Sequence, residues 1–210
     1  TGQLGVAMVT AGPGVTNCVT GIANASLARV PLLLIGGCTS RPQANMGPLQ
    51  DIPHTEILTP VSRYSRTARV ADQVIRELDE AIARAQGDGG EPGPAYIEIP
   101  TDVLRTSVAE ALIPKDWIRP KAPRRTRPDG EAVDQAVGLI RSSRRPLVVT
   151  GRGARGARKE LVALMDVMDG LYLDTQESRG LLDRNHTAFV GAARANAMQG
   201  ADLVITVGRK

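Results

Sequence analysis

Apolar positions along this chain follow two rhythms. Short, mostly apolar runs fall at 5–9, 31–35, 94–100, 147–149, 171–173 and 203–207. They are too short for buried helices and suit strands covered on both faces. Between them, apolar residues recur every three or four positions. The clearest case is 70–86, where Val70, Val74, Ile75, Leu78, Ala81, Ile82 and Ala85 form one stripe. That spacing predicts a helix with one face on a core. Further helices are predicted from the turn at 10–17 to about Arg29, over 132–140 and 158–168, and at 193–198. Strands alternating with helices imply parallel sheets. The expected fold class is α/β, with two doubly wound parallel-sheet units.

Breaks in the pattern divide the chain. Residues 36–55 are rich in Gly, Pro, Gln and Asn and read as one long loop, a length usually tied to function. Between 101 and 129, Pro114, Pro120, Pro123 and Pro128 recur among Lys and Arg with no helical or strand period, as in a linker. The expected organisation is a first domain over 1–105, a linker over 106–129 and a second domain over 130–210. Thr1 looks mid-domain, and Lys210 closely follows a strand-like run. An internal piece of a larger protein is therefore expected.

Composition narrows the classes. The hydrophobic share is 42%, with one Phe, one Trp and three Tyr, so aliphatic side chains must fill the cores. The net charge is +4 and comes mostly from Arg, which suits bidentate contacts to carboxylate or phosphate. Those Arg residues are spread out and stacking aromatics are scarce, which argues against nucleic acid. Cys18 and Cys38 are the only cysteines; with no CxxC pair they suggest neither zinc nor a disulfide framework. No metal-ligating cluster, signal peptide or membrane-length apolar run is apparent. A soluble cytoplasmic protein is expected.

Two glycine turns could carry chemistry. Gly151-Arg152-Gly153-Ala154-Arg155-Gly156 is a literal GxGxxG between a strand and a helix, with Asp174 ending the next strand. In a dinucleotide site such glycines let backbone approach a diphosphate at a helix start. They can equally serve tight strand-to-helix packing, and the sequence leaves both readings open. Gly12-Pro13-Gly14-Val15-Thr16-Asn17 also joins a strand to a helix. It is expected to present free N–H groups, with Thr16 and Asn17 able to cap the helix or touch a ligand.

The string AGPGVTNCVTGIANASLARVPLLLIGG resembles the thiamine-diphosphate enzyme superfamily, and is similar to acetolactate synthase and glyoxylate carboligase. In that family this segment lies in the domain that holds the cofactor's aminopyrimidine ring. Met46-Gly47-Pro48-Leu49-Gln50-Asp51 resembles the family's F-Q-E stretch, with Leu49 for Phe and Asp51 for Glu. GPAYIEIPTDV resembles the block that closes the domain. RRPLVVTGRGARGARKELVAL and ADLVITVG resemble the start of the central domain, which binds FAD in acetolactate synthases. Arg152 replaces one glycine of that domain's G-G-G, and Thr175-Gln176-Glu177-Ser178-Arg179-Gly180 departs from T-x-M-G-x-G.

The resemblance implies a decarboxylase or carboligase of 2-oxo acids, most nearly an acetolactate synthase catalytic subunit of branched-chain amino acid biosynthesis. It implies thiamine diphosphate with Mg²⁺, the metal site lying outside this chain, and FAD as a second cofactor to be tested. Gln50 is the expected active-site residue. Gly12, Pro13, Gly14, Thr16, Asn17, Gly151, Gly153 and Thr175 are the expected cofactor-binding positions. A homodimer or homotetramer is implied, since the family's active site is shared between subunits. A nucleotide-binding oxidoreductase built on GRGARG and a non-catalytic paralogue are the competing readings.

Other residues have plainer readings. His54 invites an acid–base role, but a loop histidine near the surface is the commoner case. His186 lies in a polar connection. Glu98 alternates with Ile97 and Ile99 and is expected to face away from the core or to pair locally. Arg63 suggests a surface salt bridge, and Gly87-Asp88-Gly89 a turn.

Overall fold

The computed structural model describes residues 3–113 and 127–209. Pro114, Pro120 and Pro123 of the expected linker lie outside the described residues. The chain divides into two compact units between Lys121 and Ala122.

The first unit is a parallel sheet of β1 (Gly5–Val9), β2 (Leu32–Cys38), β3 (Tyr64–Thr67) and β4 (Pro94–Pro100), in the order β1-β2-β4-β3. β4 is an inner strand, and all seven of its residues are buried. One face carries α4 (Val74–Ala85), whose Ala81 and Ala85 pack with Leu33, Ile97 and Ile99. The helical stripe is as expected, but its first turn, 71–73, is 3₁₀. The other face carries α1 (Pro13–Thr16), α2 (Val19–Leu27) and α3 (His54–Leu58). Val15, Ile22 and Leu58 meet Leu34 and Tyr96 there.

Several boundaries differ from the sequence reading. β2 runs through Gly36 and Gly37 to Cys38, so the loop after it begins later. Glycine is tolerated there because Gly36 leaves room for Tyr96: a Cβ would stand 2.5 Å from its hydroxyl oxygen. α3 and the four-residue β3 follow the loop, too short to show a period. α5 (Thr101–Leu104) occupies the start of the stretch that reads as linker. Gly87-Asp88-Gly89 is a turn, with Gly87 and Gly89 at positive φ.

The second unit is a parallel sheet of β5 (Pro146–Thr150), β6 (Leu171–Asp174) and β7 (Leu203–Val207), in the order β6-β5-β7. α6 (Gly130–Ser142), α7 (Arg158–Val167) and α8 (Arg194–Gly200) connect or flank the strands. β5 is fully buried. Its alternating residues feed two cores, Val148 with Leu161, Met165 and Tyr172, and Leu147 and Val149 with Leu173 and Ala197. Both units are thus layered α/β sheets built from parallel strands. No helix among the described residues is long and apolar enough to cross a membrane.

Asp202 ties the entrance of β5 to that of β7. Its carboxylate accepts from the Ser143 hydroxyl and from the backbone N–H of Arg144 and Arg145, the latter two at 2.9 Å. These donors, the Ser143 hydroxyl foremost, lower its pKa to about 2. A depressed carboxylate pKa contributes stability above the unfolded value, near 3.9, and that contribution is lost as pH falls through the folded value. The tie should therefore hold at pH 5 and fade between about pH 4 and 2. Acid titration of Asp202→Asn should lose this component of the stability curve. An identical acid limb in the variant would refute the assignment.

Candidate functional site

Three chain segments meet where β1, β2 and β4 end. β1 runs out into the turn at 10–12, β2 into the loop that carries Gln50 and His54, and β4 brings Glu98. Carboxyl ends of parallel strands are the usual place for ligands in such sheets. The turn is sharp because Gly12 lies at φ 65° and ψ −121°, a region closed to residues with a Cβ.

His54 holds this turn. The Gly12 N–H donates to His54 Nε2 at 2.8 Å, and His54 Nδ1 lies 3.0 Å from Glu98 Oε2. An imidazole that accepts at Nε2 carries its proton on Nδ1. His54 therefore donates to Glu98. The same carboxylate accepts from the Tyr96 hydroxyl at 3.1 Å and the Thr67 hydroxyl at 2.7 Å. His54 is 1% exposed and Glu98 7%. A buried carboxylate needs such donors.

The charge of Glu98 marks its neighbours. Burial pushes the Cys38 thiol up to about 12, and the Glu98 charge adds to that. Burial likewise raises the Tyr96 phenol, again with Glu98 contributing. Cys38 is thus not a nucleophile at neutral pH. Both cysteines are free and half-buried.

One expectation about these residues is corrected and one is met in part. His54 is a core residue and not a surface one, because α3 starts at it and turns its ring beneath the sheet's end. Glu98 does point away from Ile97 and Ile99, but β4 is covered on both faces. The opposite face is a second core, where Glu98 pairs locally with the Tyr96 hydroxyl, two positions away, and also with His54, 44 positions away in the chain. The sequence signal was available in the buried run PAYIEIP: a charge inside a strand covered on both faces requires a partner.

Gln50 is brought to the same turn. It lies at φ 69°, uncommon for a residue with a Cβ,. A Cβ on Gly12 would stand 2.7 Å from Gln50 Cβ, so Gln50 packs directly over Gly12. Among the described residues its carboxamide has no hydrogen-bond partner. Asn17 is exposed and ends α1. Gly12, Pro13, Gly14, Thr16, Asn17 and Gln50 therefore lie together, but of the expected free N–H groups only that of Gly14 lacks a hydrogen-bond partner among the described residues. Gly12 N–H goes to His54, and the N–H groups of Val15 and Thr16 return to Gly12 O at 3.0 and 3.1 Å. The Gln50 carboxamide, a donor and an acceptor, is left able to hydrogen-bond a ligand at the turn.

The GxGxxG segment does something else. Residues 152–157 are 3₁₀ helix, not a tight turn into α7. Gly151 N–H donates to Val207 O and Gly153 N–H to Gly208 O, both at 2.9 Å. A Cβ on Gly151 would meet Gly208 O at 2.5 Å, and one on Gly153 would meet Gly208 Cα at 2.9 Å. The glycines let two backbone segments touch, and their donors are used within the protein. Thr175 caps the short turn at 176–178, its N–H donating to the Ser178 hydroxyl at 2.9 Å. Arg152 pairs with Glu177 at 2.7 Å. The backbone donors of Gly151, Gly153 and Thr175 are thus paired within the protein, and FAD finds no support here. His186 bonds Asp166, and Arg63 lies 3.7 Å from Glu91. Among the described residues no group of three or more His, Cys, Asp or Glu could hold a metal ion.

Comparison with known proteins bears on both units. Residues 1–57 match the family model for the thiamine pyrophosphate enzyme N-terminal binding domain, and residues 133–210 that for the thiamine pyrophosphate enzyme central domain. The chain is 31% identical to human 2-hydroxyacyl-CoA lyase 1, over 100% of this chain and 36% of that protein. It is 32% identical to mouse 2-hydroxyacyl-CoA lyase 2, over 99% of this chain and 38% of that protein. The Arabidopsis thaliana 2-hydroxyacyl-CoA lyase is 31% identical, over 100% and 37%. The chain thus spans little more than a third of the length of these relatives. All three are named as lyases, so the acetolactate synthase likeness and its biosynthetic context are not supported by them.

Proposed function

The chain belongs to the thiamine-diphosphate enzyme superfamily, and from that membership we propose that it is part of a lyase acting on 2-hydroxyacyl thioesters. The observation that carries this reading is identity of 31% with a 2-hydroxyacyl-CoA lyase along the whole of this chain. The geometry of the first unit agrees with it. A glycine turn at the sheet's carboxyl end is fixed from below, and a neighbouring Gln50 amide is left for a ligand.

Thiamine diphosphate, when bound, supplies the electron sink for breaking a bond beside a carbonyl carbon. The work of this chain is positional. The turn at Gly12 and the Gln50 carboxamide would hold the neutral ring, and Asn17 flanks it. Mg²⁺ and the diphosphate would be held by residues other than those described, in keeping with an active site completed by another domain or a second subunit. FAD is not part of the proposal.

Breaking the bond between the hydroxyl-bearing carbon and the thioester carbonyl gives an aldehyde and a formyl thioester, the hydroxyl proton being balanced by the new formyl hydrogen. The full-length enzyme, given thiamine diphosphate and Mg²⁺, should convert a 2-hydroxyacyl-CoA to an aldehyde one carbon shorter and formyl-CoA. Formation of acetolactate and carbon dioxide from pyruvate, with no cleavage of the thioester, would instead restore the carboligase reading. Turnover of neither substrate by cofactor-loaded protein would favour a non-catalytic paralogue.

A further inference from the structure

We infer that His54 is a positioning residue for the cofactor-binding turn, its tautomer fixed by Glu98 so that Nε2 always accepts from Gly12. The inference rests on the thiamine-diphosphate reading above and deepens it. Residues 1–57, which include both Gly12 and His54, are the part that matches a thiamine pyrophosphate binding domain.

The geometry makes the arrangement directional. Gly12 N–H lies within a buried turn and needs an acceptor,. Imidazole provides one only when its proton sits on the other nitrogen. Glu98 ensures this, because its Oε2 accepts the Nδ1 proton while Tyr96 and Thr67 also donate to the same carboxylate. Tyr96 can reach Glu98 because Gly36, paired with Glu98 in register, leaves space for its ring. The chain of contacts thus runs from β4 through His54 to the Gly12 peptide. Gln50 packs on that peptide, so the same clamp sets where its free carboxamide stands. A histidine that served only to fill the core would need neither the tautomer nor the Gly12 contact.

The test uses the full-length enzyme and direct titration with thiamine diphosphate in the presence of Mg²⁺, alongside steady-state kinetics. His54→Phe keeps the ring volume and removes both hydrogen bonds. It should weaken thiamine diphosphate binding roughly ten- to a hundredfold, the factor associated with one lost hydrogen bond to a buried group. KM for the acyl substrate should stay within about twofold at saturating cofactor, since the clamp acts on the turn and not on the substrate. His54→Gln, whose carboxamide can accept from Gly12 and donate to Glu98, should recover affinity to within about threefold. It also keeps the test decisive if the Phe variant folds poorly. Hydrogen exchange at Gly12 should be slow in the unaltered enzyme and fast in His54→Phe, with β2 and β4 still protected.

Unchanged cofactor affinity in His54→Phe, or a Gln variant as impaired as the Phe variant, overturns the inference while leaving the family reading intact. An unaltered full-length enzyme that binds no thiamine diphosphate overturns the functional reading and the positioning role with it. Gly12 exchange would then report on the clamp as a fold element alone.

Discussion

Glu98→Leu is expected to destabilise the first unit by about 2–4 kcal/mol, the cost of leaving buried neutral donors without their acceptor. Leucine fills most of the space but accepts nothing. His54 Nδ1–H, the Tyr96 hydroxyl and the Thr67 hydroxyl all lose their acceptor. The two hydroxyls can rotate toward other partners, whereas the imidazole is held by its contact to Gly12. Each buried donor left unpaired costs about 1–3 kcal/mol. Glu98→Gln separates shape from charge. Its carbonyl oxygen can take the Oε2 position and accept from His54 and Tyr96, and its amide can donate to a reoriented Thr67 hydroxyl. It should cost less than about 1.5 kcal/mol, the net worth of an ordinary hydrogen bond. Denaturant unfolding monitored by hydrogen exchange of β2 and β4 would measure both variants. A Leu variant within about 1 kcal/mol of the parent would mean that the carboxylate is dispensable.

The contrast between Glu98 and α4 shows what could be read from the chain and what could not. Val74, Leu78, Ala81, Ile82 and Ala85 announce their helix because one face of α4 meets a core and the other meets water, so the period survives in the sequence. β4 has no such asymmetry. Its residues are buried on both sides, and alternation places Glu98 opposite Ile97 without saying what covers that side. The covering element, α3, is five residues long and follows a loop that reads as irregular, too short for a period of its own. The GPG turn, by contrast, was legible, because glycines and proline mark a backbone that must bend. What it binds within the protein was not, since the His54 contact spans 42 positions. Gln50 was placed near the turn only by likeness to the family; its left-handed φ leaves no trace in residue type.

Gly208→Ala should be the most damaging small change in the second unit, by about 3 kcal/mol or more. Gly208 lies at φ 62°, and its Cβ would fall on the backbone of Gly153 and Ala154, with Gly153 Cα only 2.6 Å away. Backbone on both sides cannot swing aside as a side chain would. Gly151→Ala should follow it, since its Cβ would press on Gly208 O and on Arg209 Cα at 2.8 Å. Gly156 provides the control. It is the third glycine of the GxGxxG string, yet a Cβ there meets nothing within 4 Å. Gly156→Ala should be neutral, or should stabilise by up to about 1 kcal/mol through the unfolded chain. A dinucleotide fingerprint makes the opposite demand, because its third glycine serves close helix–strand packing and its second admits a diphosphate. On that reading Gly156→Ala would destabilise, and Gly153→Ala would abolish FAD or NAD(P)H binding with little loss of stability. Thermal unfolding of the four variants, with and without FAD, separates the two accounts. Damage graded as Gly208, then Gly151, with Gly156 unaffected and no shift on adding FAD, identifies the glycines as the place where the ends of β5 and β7 touch.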